Sequence, residues 1–145
     1  MIDVDLVRRK LARLNMYLER LKPIAAKSYN EYLSDAYLKF STERLIQLIV
    51  ECASDVNNHV VVEKGQRPPE DYTSSFIRAA EAGLITRELA ERIKGSGGMR
   101  NIIVHEYMDI DDEKVFKTLP LALTDYLEYI HQADNFLDSL KSPSP

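Results

Sequence analysis

A single cysteine, Cys52, stands among the 145 residues, so no disulfide can form within the chain and stability has to come from burial. Cys52 falls where a helix would turn its apolar stripe inward, which points to an inert buried thiol rather than a nucleophile. Five glycines and six prolines are too few for a low-complexity or fibrous chain, while 45% hydrophobic and 29% charged residues suit an ordinary globular one. No apolar run approaches the length that crosses a bilayer, and Met1-Ile2-Asp3-Val4-Asp5 lacks the basic start and apolar core of a secretory signal, so a cytoplasmic protein is expected. Histidines are scarce and scattered: His59, His105 and His131 show no His-Cys or His-Glu-x-x-His spacing, so neither a metal nor another cofactor is expected. An excess of positive charge is missing too. The net charge of −4 argues against a generic nucleic-acid coat, though it leaves room for a local basic cleft.

What the chain does have is helix periodicity almost throughout. Asp3 can cap a first helix whose Val4, Val7, Leu11, Leu14, Leu18 and Leu21 step by three and four, and Pro23 is expected to close it. Ser34 is a possible cap for a long second helix with the stripe Leu38, Leu45, Leu48, Ile49, Cys52, Val56 and Val60. Beside that stripe run Asp55, Asn58 and His59; Asp55 and His59, four apart, are expected to hydrogen-bond along the helix. Gly65-Gln66-Arg67-Pro68-Pro69 reads as a surface connection. A short helix with Tyr72, Phe76, Ile77 and Ala80 should stop at Gly83, with Leu84 making the apolar contact that accompanies a glycine stop. Thr86 and Glu88 then open a fourth helix. A last helix, capped by Asp109 or Asp111, carries Phe116, Leu119, Leu123, Tyr126, Ile130, Ala133, Leu137 and Leu140, with Pro120 as a kink or first turn. His131 reads as surface. No alternating strand pattern or internal repeat occurs. The expected class is therefore all-α, a four- or five-helix antiparallel bundle forming one domain over residues 1–141, with 142–145 as a flexible tail.

Chemistry concentrates in Arg100-Asn101-Ile102-Ile103-Val104-His105-Glu106-Tyr107. As a continuous helix over Met99 to Tyr107, this stretch puts Arg100, Asn101, Val104 and His105 on one half of the cylinder. Met99, Ile102 and Ile103 fall on the other half, and Tyr107 lies about 20° from Arg100. Just before it, Gly95-Ser96-Gly97-Gly98 has two readings, a break between shorter helices or a place where another backbone comes close. It is not a phosphate-binding loop, since no Lys-Ser/Thr follows and no strand precedes it.

Arg100, four residues, His105, one residue, Tyr107 resembles the Arg-x4-His-x-Tyr motif of HEPN-domain proteins, specifically the HepT-like toxins of minimal nucleotidyltransferase/HEPN toxin–antitoxin pairs. Length, helix count, the Asp55-x-x-Asn58-His59 stretch, the Arg100-Asn101 pair and the acidic turn from Asp109 to Asp112 extend the resemblance over nearly the whole chain. It implies a metal-independent endoribonuclease, active as a homodimer whose motif helices face one another across a shared cleft.

In that reading Arg100 and His105 are the catalytic pair. An imidazole exchanges protons near neutral pH, suiting a general base or acid on RNA, and a guanidinium forks onto phosphate oxygens. Asn101 supports them, with Asp55, Asn58 and His59 as a network behind or beside the cleft. The resemblance makes Tyr107 the acceptor of AMP groups from a cognate nucleotidyltransferase antitoxin, which would block the cleft next to Arg100. A rival expectation is a non-catalytic subunit that binds substrate or nucleotide for a separate nucleotidyltransferase. One internal tension stands out: an ideal helix sets Arg100 and His105 about 140° apart, so either the helix unwinds near His105 or two subunits supply the pair.

Overall fold

The structure, a computed structural model, describes residues 1–140, so the tail expected at 142–145 lies outside the described residues. Those residues form seven α-helices and no strand: α1 (Val4–Ala25), α2 (Tyr29–Ser34), α3 (Ala36–Glu63), α4 (Tyr72–Glu81), α5 (Arg87–Ile93), α6 (Gly95–His105) and α7 (Asp112–Leu140), with a 3-10 turn over Tyr107–Asp109. Among the three long helices α1 packs against both α3 and α7, while α4 and α6 pack on α3 and α5 joins α4 to α7. The all-α bundle is as expected. The count rises because α2 is separate and the expected fourth helix divides at Lys94.

The caps show why the elements begin where they do. Asp3 accepts from Leu6 N–H, Thr86 from Leu89 N–H and Asp111 from Lys114 N–H, each filling a donor that a helix start leaves unpaired. Asp35, rather than Ser34, caps α3 by accepting from Leu38 N–H, while Ser34 ends α2 and donates back to Asn30 O. Pro23 does not close α1. The helix runs through it to Ala25, because a proline there removes only one backbone bond and the buried Ile24 anchors the final turn. At the end of α4, Gly83 adopts a φ of +91°, and Leu84 N–H reaches back to Ala79 O at 3.0 Å with the Leu84 side chain buried.

The core is apolar and continuous, from Leu11, Leu14 and Leu18 of α1 through Ile49, Val56 and Val60 of α3 to Leu119 and Leu137 of α7. One polar strand of contacts crosses it. The Tyr129 hydroxyl lies 2.6 Å from Asn57 Oδ1, and Asn57 Nδ2 donates to Ser75 Oγ at 3.1 Å, tying α7, α3 and α4 together. Cys52 is buried as expected, and burial pushes its thiol pKa up, only partly offset by the Lys10 ammonium nearby. No helix of the described residues is long and apolar enough to cross a membrane.

Candidate functional site

Helix α6 owes its position to a missing side chain. A Cβ on Gly97 would sit 2.8 Å from the Thr73 backbone nitrogen, so only glycine lets α6 pack against the start of α4. Gly95 and Gly98 meet nothing within 4 Å. Both readings of the glycine run therefore apply at once: a break falls at Lys94, and Gly97 marks the close approach. Ser96 fastens the break by donating to Ile93 O and sharing a 2.6 Å hydrogen bond with the Tyr126 hydroxyl.

Three residues after Gly97, Arg100 turns toward α3 and α4 instead of outward. Its Nε and Nη2 donate to one oxygen of Glu51 at 3.0 and 2.8 Å, and its Nη1 donates to Asn101 Oδ1 at 3.2 Å. Its guanidinium carbon lies 4.5 Å from the centroid of the Tyr72 ring, close enough for a cation–π contact. The Arg100 side chain keeps only 13% of its exposure and Glu51 keeps 30%. A carboxylate, an amide and an aromatic face thus fix the plane of the guanidinium. A guanidinium has about five N–H donors, so the three bonds leave two for a ligand.

His105 is the last residue of α6. It is exposed and meets no hydrogen-bond partner within the described residues. The helix stops there, with Glu106 N–H closing on Ile102 O, and does not continue to Tyr107. Burial explains the stop: after Ile103, every residue from His105 to Asp109 is exposed, so no apolar contact holds another turn. Tyr107, 68% exposed, and Met108, 82% exposed, instead stand on the 3-10 turn, so Tyr107 does not share a helix face with Arg100.

Asp55, Asn58 and His59 do not join this cluster. Asp55 accepts from Lys10 Nζ at 3.0 Å and the His59 Nε2 accepts from Asp3 N–H at 2.9 Å, so both bind α1 and the expected Asp55–His59 hydrogen bond is absent. The reason is packing: α1 lies along this side of α3 and offers each of them a nearer partner. The Oδ1 of Asn58 is buried and has no partner among the described residues. His131 is exposed, as expected.

Two residues at the site went unread in the sequence. Tyr72 looks there like one more apolar position of α4. Glu51 did leave a signal, since it is the lone charge in the otherwise apolar stretch from Leu48 to Ala53, and such a residue usually has a partner waiting.

Residues 14–133 match the family model described as ribonuclease HepT-like. Over 142 residues, 97% of this chain and 95% of the relative, the sequence is 35% identical to a tRNA nuclease HepT of Aphanizomenon flos-aquae. It is 25% identical over 126 residues, 87% of this chain and 94% of the relative, to an mRNA nuclease HepT of Shewanella oneidensis. In fold it is similar to the tri-AMPylated Shewanella oneidensis HEPN toxin solved in complex with an MNT antitoxin. That likeness has a TM-score of 0.80 at 24% identity and covers 93% of this chain and 99% of the other.

Proposed function

The chain belongs to the ribonuclease HepT-like family and is an endoribonuclease, and from that premise we propose a metal-independent toxin of a toxin–antitoxin pair, cleaving RNA in the cleft of a homodimer. The observation that carries the proposal is the anchored guanidinium of Arg100, with two N–H groups unspent, on the same short helix as an exposed and unpartnered His105. Cleavage needs no nucleophile from the protein. The ribose 2′-hydroxyl loses its proton to a base and attacks the adjacent phosphorus. The 5′-oxygen leaves as it gains a proton, giving a 2′,3′-cyclic phosphate and a 5′-hydroxyl.

Arg100 holds the scissile phosphate and offsets the charge that builds on it in the transition state. His105 carries one proton transfer. The second comes from His105 of another copy, a division supported by Arg100 facing inward while His105 stands outward on the end of the same helix. Asn101 keeps the guanidinium in plane. Asp55 and His59 act at a distance, holding α1 against α3. No step requires a Lewis acid, because the cationic side chain takes that load.

Tyr107 is the control point in this reading. Exposed on its turn, it is open to a cognate nucleotidyltransferase antitoxin, and an AMP group added to its hydroxyl brings a phosphate and a base beside the cleft.

The test compares purified wild type, His105→Ala and Arg100→Ala on tRNA in the presence of a chelator. Wild type yields 2′,3′-cyclic phosphate ends, and each variant loses about 100-fold or more in rate. Intact RNA with wild type would overturn the ribonuclease reading in favour of a subunit that binds nucleotide without cleaving. Light scattering at micromolar concentration tests the homodimer, which a monomer would rule out. Co-expression with a nucleotidyltransferase, followed by mass spectrometry, tests Tyr107; adenylyl mass on another residue would refute that assignment.

A further inference from the structure

An electrostatic shortfall at the site leads to the inference. Glu51 balances Arg100 at long range, leaving its two free N–H groups to act only on a phosphate already in contact, and the chain as a whole is at −4, so the pull that brings a polyanion in has to come from elsewhere on the surface. Unpaired positive charge does form a row along α1. Arg9, Arg13 and Arg20 lie within about 40° of one another on the solvent side of α1 and span about 16 Å along it. All three are exposed, as is Arg44 of α3. Among the described residues none of the four forms an ion pair. Arg8, Lys10, Lys22, Arg87, Arg92 and Lys117 are each taken by a carboxylate. Of the acidic neighbours of the row, Glu19 is engaged by Lys22 and Asp55 by Lys10, while Asp5 stands one turn before Arg9 at the far end from the site.

The packing of α1 on α3 aims this row at the site. Lys10 reaches Asp55, Cys52 Sγ lies 3.2 Å from Lys10 O, Asp3 N–H reaches His59, and the N-terminal ammonium reaches Glu63. The two helices therefore run antiparallel, and numbers fall along α3 as they rise along α1. By that register Arg13 comes level with Glu51, and Arg20 with Arg44. Arg44 and Glu51 share one face of α3 to within about 20°. Next to Arg13, a shallow depression of about 140 Å³ is lined by Leu6, Arg9, Lys10 and Arg13.

We propose that Arg9, Arg13, Arg20 and Arg44 form a backbone-tracking surface that receives the phosphates of the RNA flanking the cleaved bond. The proposal rests on the ribonuclease reading above. Four unpaired guanidiniums in file, leading to a guanidinium whose charge is already balanced, suit a run of phosphates rather than a single anion. Each contact of this kind releases counterions, so binding weakens with salt by about 0.7 in log–log slope per phosphate on single-stranded RNA. Such contacts position the strand and carry no sequence information.

The experiment uses the full chain carrying His105→Ala, so that a short unstructured RNA binds without being cut, and follows affinity against salt. Adding Arg9→Gln, Arg13→Gln and Arg20→Gln together weakens binding at least tenfold and flattens the slope by about 2. Arg87→Gln, which removes an arginine already paired with Glu91, is the control and leaves the slope unchanged. In the cleavage-competent chain the triple variant raises KM on long RNA but leaves kcat on a dinucleotide as in wild type. A slope equal to that of the control overturns the proposal. So does loss of dimer in the triple variant, which would make the row a contact between copies, and so does retained RNA binding with lost antitoxin binding. If the parent chain neither cuts nor binds RNA, the ribonuclease reading fails; if it does both and the slope does not move, only the arginine row fails.

Discussion

Replacing Glu51 with Gln keeps the volume at the centre of the site and removes one charge, which isolates the electrostatic hold on Arg100. At an effective dielectric of about 20, opposite charges 2.8 Å apart attract by roughly 6 kcal/mol, and most of that is lost to desolvation of the two groups. Truncating one member of a fully buried pair costs about 3–5 kcal/mol. Here Glu51 retains 30% exposure and water reaches the carboxylate, so the figure falls to about 2 kcal/mol. For a chain of this length that amounts to about 6–8 °C in Tm. Arg100→Gln removes the other member, and the double variant completes a cycle in which the pair shows a coupling of about 1–2 kcal/mol. Thermal or urea unfolding of the four proteins reads this without reference to activity. Cleavage by Glu51→Gln falls about tenfold through kcat, because the amide oxygen still accepts from the guanidinium but no longer holds the fork with charge. Effects on stability that add to within about 0.5 kcal/mol would refute the idea that Glu51 and Arg100 act as one unit.

Further substitutions separate packing from chemistry. Gly97→Ala forces a Cβ to 2.8 Å from the Thr73 nitrogen and destabilises by about 1–3 kcal/mol, whereas Gly98→Ala, with nothing within 4 Å, stabilises by up to about 1 kcal/mol; melting curves of the pair check both signs. Tyr129→Phe removes the hydroxyl from buried Asn57 Oδ1 and costs about 1–3 kcal/mol, read as a lower urea midpoint with the m-value unchanged. The raised thiol pKa of Cys52 keeps it protonated further up the pH scale than a free thiol. An alkylating reagent at pH 8 therefore leaves it unmodified in the native protein and labels it once urea unfolds the chain.

Sequence by itself determined the helices, most of their caps and the core, because these depend on residues three or four apart. Asp3, Thr86 and Asp111 cap what lies just ahead of them, and the three–four stepping of Leu11, Leu14 and Leu18 fixes which side of α1 is buried. The stretch from Arg100 to Tyr107 was legible for the same reason, being one short run of side chains with distinct chemistry. Its shape was not. Local pattern carries the helix on to Tyr107, but no neighbour covers the residues from His105 to Asp109, so the helix ends and Tyr107 moves off the face of Arg100.

Only the tertiary structure decided what Arg100 touches. Its partner Glu51 is 49 residues away, and Tyr72 belongs to a third helix brought near by the bare backbone of Gly97. Likewise Asp55 and His59, neighbours along α3, were separated by the arrival of α1, which paired one with Lys10 and the other with the Asp3 backbone. Helix periodicity states which face is polar. Which charge meets which depends on how the helices dock, and docking is set by long-range packing that no window of sequence contains.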